Sequence, residues 1–342
     1  MKTIKKKILS VSVAAYNVES TIEEALNPFL KCNHLDALEV LIINDGSKDQ
    51  TVEKVTPYID KWPEVFKLID KENGGWGSTL NVGMNEATGK YFKQLDGDDY
   101  YSAEALDGFI EYLEECDADF VYTPFVIFNH QSGALQGVLG EIRAYPFKTT
   151  IPLKELYPFY PAMHALCVKT SILQSNDIFI TEKCFYTDVE FVLKAIHHGS
   201  SMSFYNLPIY YYRLARDGQS MSLSGVRKNY KDHEKMLLNM LEYQKNHVME
   251  DYKEKIFSER LASACEMQYI FFLALVPNEQ SKHDLIEFDE KLRSMYPEYY
   301  NNIKNGAILF LRKTGFKGYA IVARLQTYRD KRKKINVFEG VE

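Results

Sequence analysis

Cysteine is scarce in this chain and never closely paired: Cys32, Cys116, Cys167, Cys184 and Cys265 are scattered with no C-x-x-C spacing. That pattern excludes a thiolate zinc site or a disulfide framework and fits a reducing compartment. The eight histidines show no metal-ligand spacing either. Long apolar runs are missing as well. The strongest, Tyr269 to Val276, falls far short of the ~20 residues that cross a bilayer. The amino terminus has basic residues before an apolar run, but that run alternates with Ser10 and Ser12 and breaks at Tyr16-Asn17. A first strand does this and a signal peptide does not, so a cytoplasmic protein is expected. There is no G-x-x-x-x-G-K-[ST] phosphate loop, and the Gly-rich segment 74–77 does not fit G-x-G-x-x-G after the first strand, which weakens ATPase and dehydrogenase readings.

At 342 residues the chain has room for about two domains. Its formal net charge of −6 is unevenly shared: from residue 301 onward ten basic residues face three acidic ones, an excess of +7 that leaves −13 on the remainder. A basic tail on an acidic body is a candidate for an anionic surface. Nucleic acid is not an expected partner.

The pattern of elements is α/β. Ile8 to Ala14 reads as a strand, and Ser20 with Glu23 has capping-box spacing before a helix carrying Ile22, Leu26, Phe29 and Leu30 on one face. Leu38 to Ile43, interrupted only by Glu39, is an apolar run of the kind buried in a parallel sheet. Ser47 and Gln50 repeat the capping-box spacing, Val65 to Ile69 is a third strand, and Tyr91 to Leu95 a fourth, after a helix that ends near Ala87. Strands and helices alternating at this length imply right-handed βαβ units and a mainly parallel sheet flanked by helices. Ser102 can cap a further helix through Leu106, Phe109, Ile110 and Leu113, and Asp119 to Pro124 reads as another strand. The turn signals between residues 128 and 162 predict an irregular, aromatic-rich section. Val189, Val192, Leu193 and Ile196 make a helical stripe with Thr187, Asp188 and Glu190 in its first turn, where acidic residues are favoured by the helix dipole alone. Pro208 to Arg213 is a short aromatic strand, and from about Val226 the pattern is helical.

The chemistry gathers at the strand exits. Tyr16-Asn17 follows the first strand, Asp45-Gly46 the second, and Asp96-Gly97-Asp98-Asp99 the fourth. In a parallel sheet these exits share one rim, where open α/β sheets bind ligands. Carboxylates crowded there repel unless they are solvated or hold a hard divalent cation such as Mg²⁺ or Mn²⁺. Arg213, Arg216, Gly218, Gln219 and Ser220 offer donors that can wrap a diphosphate. The bland alternatives are an acidic turn and a solvated loop.

Together these segments resemble the family 2 glycosyltransferases of the GT-A fold. The resemblance runs through SVAAYNVESTIEEAL (12–26), LEVLIINDGSKDQT (38–51), ENGGWGSTLNVGMNEATGKYFKQLDGDDYY (72–101), FYTDVEFVLKA (185–195) and YYYRLARDGQSMS (210–222). It implies a Rossmann-like catalytic domain over residues 1–225, with a nucleotide-sugar-binding half (1–101) and an acceptor half (102–225), followed by a helical C-terminal region with a basic tail (226–342). The activity implied is inverting transfer of a sugar from a nucleotide-diphosphate donor, a UDP-sugar, to a hydroxyl of a glycan or lipid-linked acceptor in cell-surface polysaccharide synthesis. On the resemblance, Ala14 and Tyr16 lie at the donor base and Asp45 hydrogen-bonds it. Asn81 stands on the donor side, Asp96 contacts the ribose or sugar, and Asp98 ligates Mg²⁺ or Mn²⁺. Asp188 is the catalytic base, with Glu190 as its rival, and Arg213, Gln219 and Ser220 close over the diphosphate.

Departures from the family pattern bear on the donor more than on the fold: Ala14 stands for the usual Pro, Asn44 for the first acid of D-D-G-S, Leu80 for an Arg and Thr187 for an acid. The processive Q-x-x-R-W signature is absent after Gln219, which favours single addition. The segment 310–334 mixes apolar and basic residues and is expected either to rest on the inner face of the plasma membrane as a peripheral contact or to pack as a helix with a basic end. A catalytically silent nucleotide-sugar-binding scaffold of the same fold is the alternative to an enzyme.

Overall fold

The structure is a computed structural model that describes residues 6–130, 132–139, 145–214 and 222–333. The chain forms two compact units, Met1–Arg216 and Asp217–Glu342.

The first unit opens with β1 (Leu9–Ala15), α1 (Ile22–Leu26), β2 (Leu38–Asn44), α2 (Thr51–Lys61), β3 (Phe66–Asp70), α3 (Trp76–Glu86) and β4 (Tyr91–Asp96). It continues through β5 (Tyr100–Tyr101), α4 (Ala103–Glu115), β6 (Phe120–Tyr122), β7 (Phe125–Asn129), β8 (Leu135–Leu139), β9 (Thr150–Pro152) and α5 (Leu153–Leu156). It closes with β10 (Leu166–Lys169), α6 (Thr170–Ser175), α7 (Asp188–His198), β11 (Ser201–Phe204) and β12 (Tyr210–Leu214). The eight-stranded sheet runs β3-β2-β1-β4-β10-β6-β11-β9, and β5-β12-β7-β8 form a second sheet. The first four strands of the large sheet are parallel, and β10 enters antiparallel to β4 and β6.

Every residue of β2 is buried, as its largely apolar run requires of a strand covered on both faces. Its one acid, Glu39, is tolerated because Ser10 Oγ, Lys67 Nζ and the Thr88 amide and hydroxyl all donate to it. The register aligns the exits: Ala14 lies opposite both Ile43 and Asp96, and Ala15 opposite Asn44. Residues 16, 45 and 96–99 therefore leave the sheet side by side.

The local readings of the sequence differ from the structure in three places. Neither expected capping box forms; α1 starts after Thr21 and α2 after Gln50, each without a side-chain cap at that position. At α2, Asp49 instead accepts from the amide and hydroxyl of Thr51. The section 128–162, expected to be irregular, contains β8, β9 and α5, and β8 pairs antiparallel with β7. Ser102 does cap α4, accepting from the Ala105 amide at 3.2 Å.

The second unit is helical: α8 (Leu223–Asn246), α9 (Asp251–Ala274), α10 (Glu279–Met295), α11 (Pro297–Asn301), α12 (Gly306–Lys313) and α13 (Tyr319–Lys333). Met236, Leu237, Met240 and Leu241 of α8 and Leu261, Cys265, Tyr269 and Phe272 of α9 are buried, so their helical spacing is packing. Asn278 and Ser281 form a capping box at the start of α10. Arg312 lies 3.6 Å from the Tyr300 ring centroid and donates to Asp289 and the Tyr269 hydroxyl. No described helix is long and apolar enough to cross a membrane.

Candidate active site

The acidic turn is built by β4 running out of apolar residues at Asp96. The Gly97 amide donates to the Ala14 carbonyl and the Asp99 amide to the Asp96 carbonyl, both at 2.9 Å, which pins the turn to the end of β1. Asp99 points inward. Its carboxylate accepts from the Tyr210 hydroxyl at 2.6 Å and the Arg213 amide at 2.7 Å, tying β12 to the turn. Burial, with Asp98 and Asp96 nearby, holds the Asp99 carboxyl well above its ordinary range. Asp96 accepts from the Trp76 indole N–H at 2.7 Å, and its backbone amide donates to the Tyr210 hydroxyl. Loss of water around its carboxyl, then the like charge of Asp98 and a further contribution from Asp188, push it up to about 7. Asp188, the first residue of α7, is thus brought from a distant part of the chain to within electrostatic reach of the turn.

Asp45 is almost wholly buried, and both of its oxygens are in use. Oδ1 accepts from Lys71 Nζ at 2.7 Å, the Gly74 amide at 2.8 Å and Ser78 Oγ at 3.3 Å; Oδ2 accepts from Asn73 Nδ2 at 3.0 Å and the Gly75 amide at 2.8 Å. The carboxylate therefore shapes the loop between β3 and α3. Asn81 likewise clamps the segment ahead of α7, exchanging hydrogen bonds with the Ile180 backbone and donating to Glu182. The guanidinium of Arg213 lies against the Phe128 ring, with Nε on the Asp98 carbonyl and Nη2 on Glu24, both at 2.6 Å, and Nη1 beside His130 Nδ1 at 3.1 Å. These three residues, expected to touch the donor, are engaged with neighbouring protein segments. Glu190 is buried, paired with Lys194 at 2.7 Å and bonded to Thr181, which ties α7 to the preceding segment. Tyr16 is about half exposed at the end of β1, next to Ala14 and Ala15. Gln219 and Ser220 lie outside the described residues.

Two neighbours of the turn escaped the sequence reading. Trp76 reaches it from the start of α3, and His164 from the short turn before β10. A ring nitrogen of His164 and carboxylate oxygens of Asp96 and Asp99 lie within 4.8 Å of one another. His164 Nε2 is buried without a hydrogen-bond partner, and the ring packs among Phe125, Tyr210 and Tyr212. Burial, with the Lys93 ammonium beside it, pushes the imidazole down to about 3 and keeps it neutral. Oxygen ligands with one neutral imidazole suit a divalent cation. No sequence spacing signals His164, because the fold alone brings it to the carboxylates.

Residues 10–172 match the family model described as glycosyl transferase family 2. Those residues are a glycosyl transferase family 2 domain. Among curated relatives, the poly(ribitol-phosphate) β-N-acetylglucosaminyltransferase TarS of Staphylococcus aureus is 28% identical over 254 residues, 74% of this chain and 43% of TarS. The minor teichoic acid biosynthesis protein GgaB of Bacillus subtilis is 25% identical over 321 residues, 87% of this chain and 35% of GgaB. The chain thus spans less than half the length of these curated relatives. The crystal structure of S. aureus TarS 1-349 in complex with UDP-GlcNAc superposes with a TM-score of 0.65 at 22% identity, covering 95% of this chain and 92% of that one. The fold is GT-A, a large mainly parallel sheet flanked by helices, followed by a helical C-terminal region.

Proposed function

We propose that this family 2 glycosyltransferase moves a sugar from a nucleoside-diphosphate donor, a UDP-sugar, to a hydroxyl of a glycan or lipid-linked acceptor, with inversion, in cell-surface polysaccharide synthesis. What carries this reading is the match of residues 10–172 to glycosyl transferase family 2, with Asp96, Asp98 and Asp99 gathered at the exit of β4 and Asp188 standing at the start of α7. That TarS is an N-acetylglucosaminyltransferase crystallised with UDP-GlcNAc supports the choice of donor.

In this reading residues 1–101 take the nucleotide sugar, 102–225 the acceptor, and 226–342 form a separate helical region. Ala14 and Tyr16 meet the base, Asp96 the ribose or sugar, and Gln219 and Ser220 the diphosphate. Asp45, Asn81 and Arg213 act through the loops they hold. Asp98, two residues from Asp96 in the same turn, would hold a divalent cation, Mg²⁺ or Mn²⁺, which when bound would offset the charge developing on the departing diphosphate; the ligand atoms of Asp96, Asp99 and His164, within 4.8 Å of one another, lie in that turn and beside it. Asp188 accepts the acceptor hydroxyl proton as that oxygen bonds the anomeric carbon from the face opposite the breaking bond. A single base suffices for such an inversion. Glu190 is unsuited to the role because Lys194 and Thr181 occupy it.

The test is binding and turnover of UDP-GlcNAc and a panel of UDP-, GDP- and TDP-sugars with Mg²⁺ or Mn²⁺. Asp188→Asn is expected to lower transfer about 10²–10⁴-fold while UDP affinity holds. Unchanged transfer assigns the base elsewhere; binding without turnover by the native chain supports a silent scaffold instead; neither binding nor turnover of any sugar nucleotide refutes the reading.

The helical unit adds a surface. Phe310 of α12 and Ile321, Leu325 and Tyr328 of α13 are each more than half exposed, within the segment of basic excess. The α13 residues recur at i, i+4 and i+7, one exposed apolar stripe. An anionic bilayer surface suits both features, with each basic residue near it contributing about 1 kcal/mol.

A further inference from the structure

Asp96 does not meet the donor with a free carboxylate. Its Oδ1 is held at 2.7 Å by the indole N–H of Trp76, so what it can offer a ligand is chiefly the other oxygen. Trp76 opens α3, and the backbone on either side of it is held to two other segments. The amides of the two preceding residues, Gly74 and Gly75, donate to Asp45 from the exit of β2. The Gly74 carbonyl accepts from the Lys183 amide at 2.6 Å, on the segment that leads to Asp188. On the other side, Gly77 is pressed against that same segment so closely that a Cβ there would come within 2.3 Å of the Thr181 carbonyl oxygen. The segment 74–77 is thus the junction between the β2 exit, the β4 exit and the approach to α7, with the indole making its contact to the β4 exit.

We propose that Trp76 is a positioning residue of the transfer reaction, its indole N–H orienting the Asp96 carboxylate so that one oxygen faces the ribose or sugar hydroxyls of the donor. The inference rests on the nucleotide-sugar reading above. Its energetic scale is that of a hydrogen bond to a charged group, which converts to roughly 10- to 100-fold in affinity. Because the indole touches Asp96 and not the proton transfer at Asp188, the loss falls on donor engagement.

The experiment is donor hydrolysis and UDP-GlcNAc binding with Mg²⁺ by the full chain. Trp76→Phe keeps an aromatic ring and removes the N–H; donor KM is expected to rise about 10- to 100-fold with kcat changed less than about threefold. In an Asp96→Ala background the same substitution is expected to change nothing further, and Trp76→His, which restores an N–H donor, to recover at least part of the lost affinity. The chain has only one other tryptophan, Trp62, packed against Tyr58 and Phe66 at the end of α2. Trp62→Phe therefore leaves Trp76 as the sole indole, and its emission should shift on adding UDP with Mg²⁺. An unchanged KM in W76F, an equal effect of W76F with and without Asp96, or no recovery in W76H overturns the proposal. Should the native chain neither bind nor hydrolyse any sugar nucleotide, the functional reading fails instead, so the two failures are distinguishable.

Discussion

Replacing Asp45 with alanine should unlatch the loop before α3. Five donors converge on that carboxylate, and at 2% exposure little water can replace it. Removing one partner of a buried ion pair typically costs 3–5 kcal/mol. Lys71 keeps bonds to the Glu72 carbonyl and Ser78 Oγ and retains 19% of its side-chain exposure, so the lower end applies, about 3 kcal/mol. For a unit of this size that is roughly 6–12 °C in Tm. Both tryptophans lie in the first unit, so indole fluorescence during urea or thermal unfolding reports that unit alone. Adding Lys71→Met to Asp45→Ala should recover at least about 1 kcal/mol, because the ammonium then no longer lacks its counter-charge. A loss below about 1 kcal/mol in D45A, or a double variant as unstable as the sum of the singles, would refute the assignment of Asp45 as a buried latch.

The parallel core was legible because its signal is local. Apolar-rich stretches at β1, β2 and β4, broken only by Ser10 and Ser12, by Glu39 and by Lys93-Gln94 and each ending in polar residues, place the strands and their exits without knowledge of any partner. What the exits would hold was legible only as chemistry. An aspartate at a strand exit reads as an exposed ligand, yet Asp45 is turned in upon a loop that begins more than twenty residues later, and nothing in its own neighbourhood announces Lys71, Asn73 or Ser78. Arg213 reads as a phosphate ligand for the same reason. Its actual partners, Glu24 and the Asp98 carbonyl, come together only once β12 is laid beside β5. Glu190 could be ranked behind Asp188 by motif alone, whereas its occupation by Thr181 and Lys194 needed the fold. Tight spots hide likewise: Gly77 looks like one more loop glycine until the Thr181 carbonyl is set against it. Polar side chains are placed by partners distant in sequence, and periodicity carries no record of those partners.

Two further measurements test the helical unit. Flotation with anionic vesicles at low salt should carry the chain with the lipid, and Ile321→Ser/Leu325→Ser should abolish this; no flotation of the native chain removes the membrane contact. Acid should weaken the same unit through His233, a buried residue of α8 whose Nδ1 lies 2.7 Å from Gln268 Oε1 on α9. Burial pushes its pKa from the ordinary 6.5 down to about 4. Between those values the unfolded chain binds the proton and the folded one does not, so stability is complete above about pH 6.5 and falls as the pH drops toward 4. Two to three pH units at 1.36 kcal/mol each give a loss of about 3 kcal/mol. Carboxylates such as Asp284, held below its usual range by the Tyr230 hydroxyl and other donors despite partial burial, also lose stability in acid, but at lower pH. The decisive quantity is therefore the difference between the native chain and His233→Gln, followed by far-UV circular dichroism in urea from pH 7 to 4. The native chain should lose stability more steeply across this window, and parallel curves would show that His233 is not buried as a neutral imidazole.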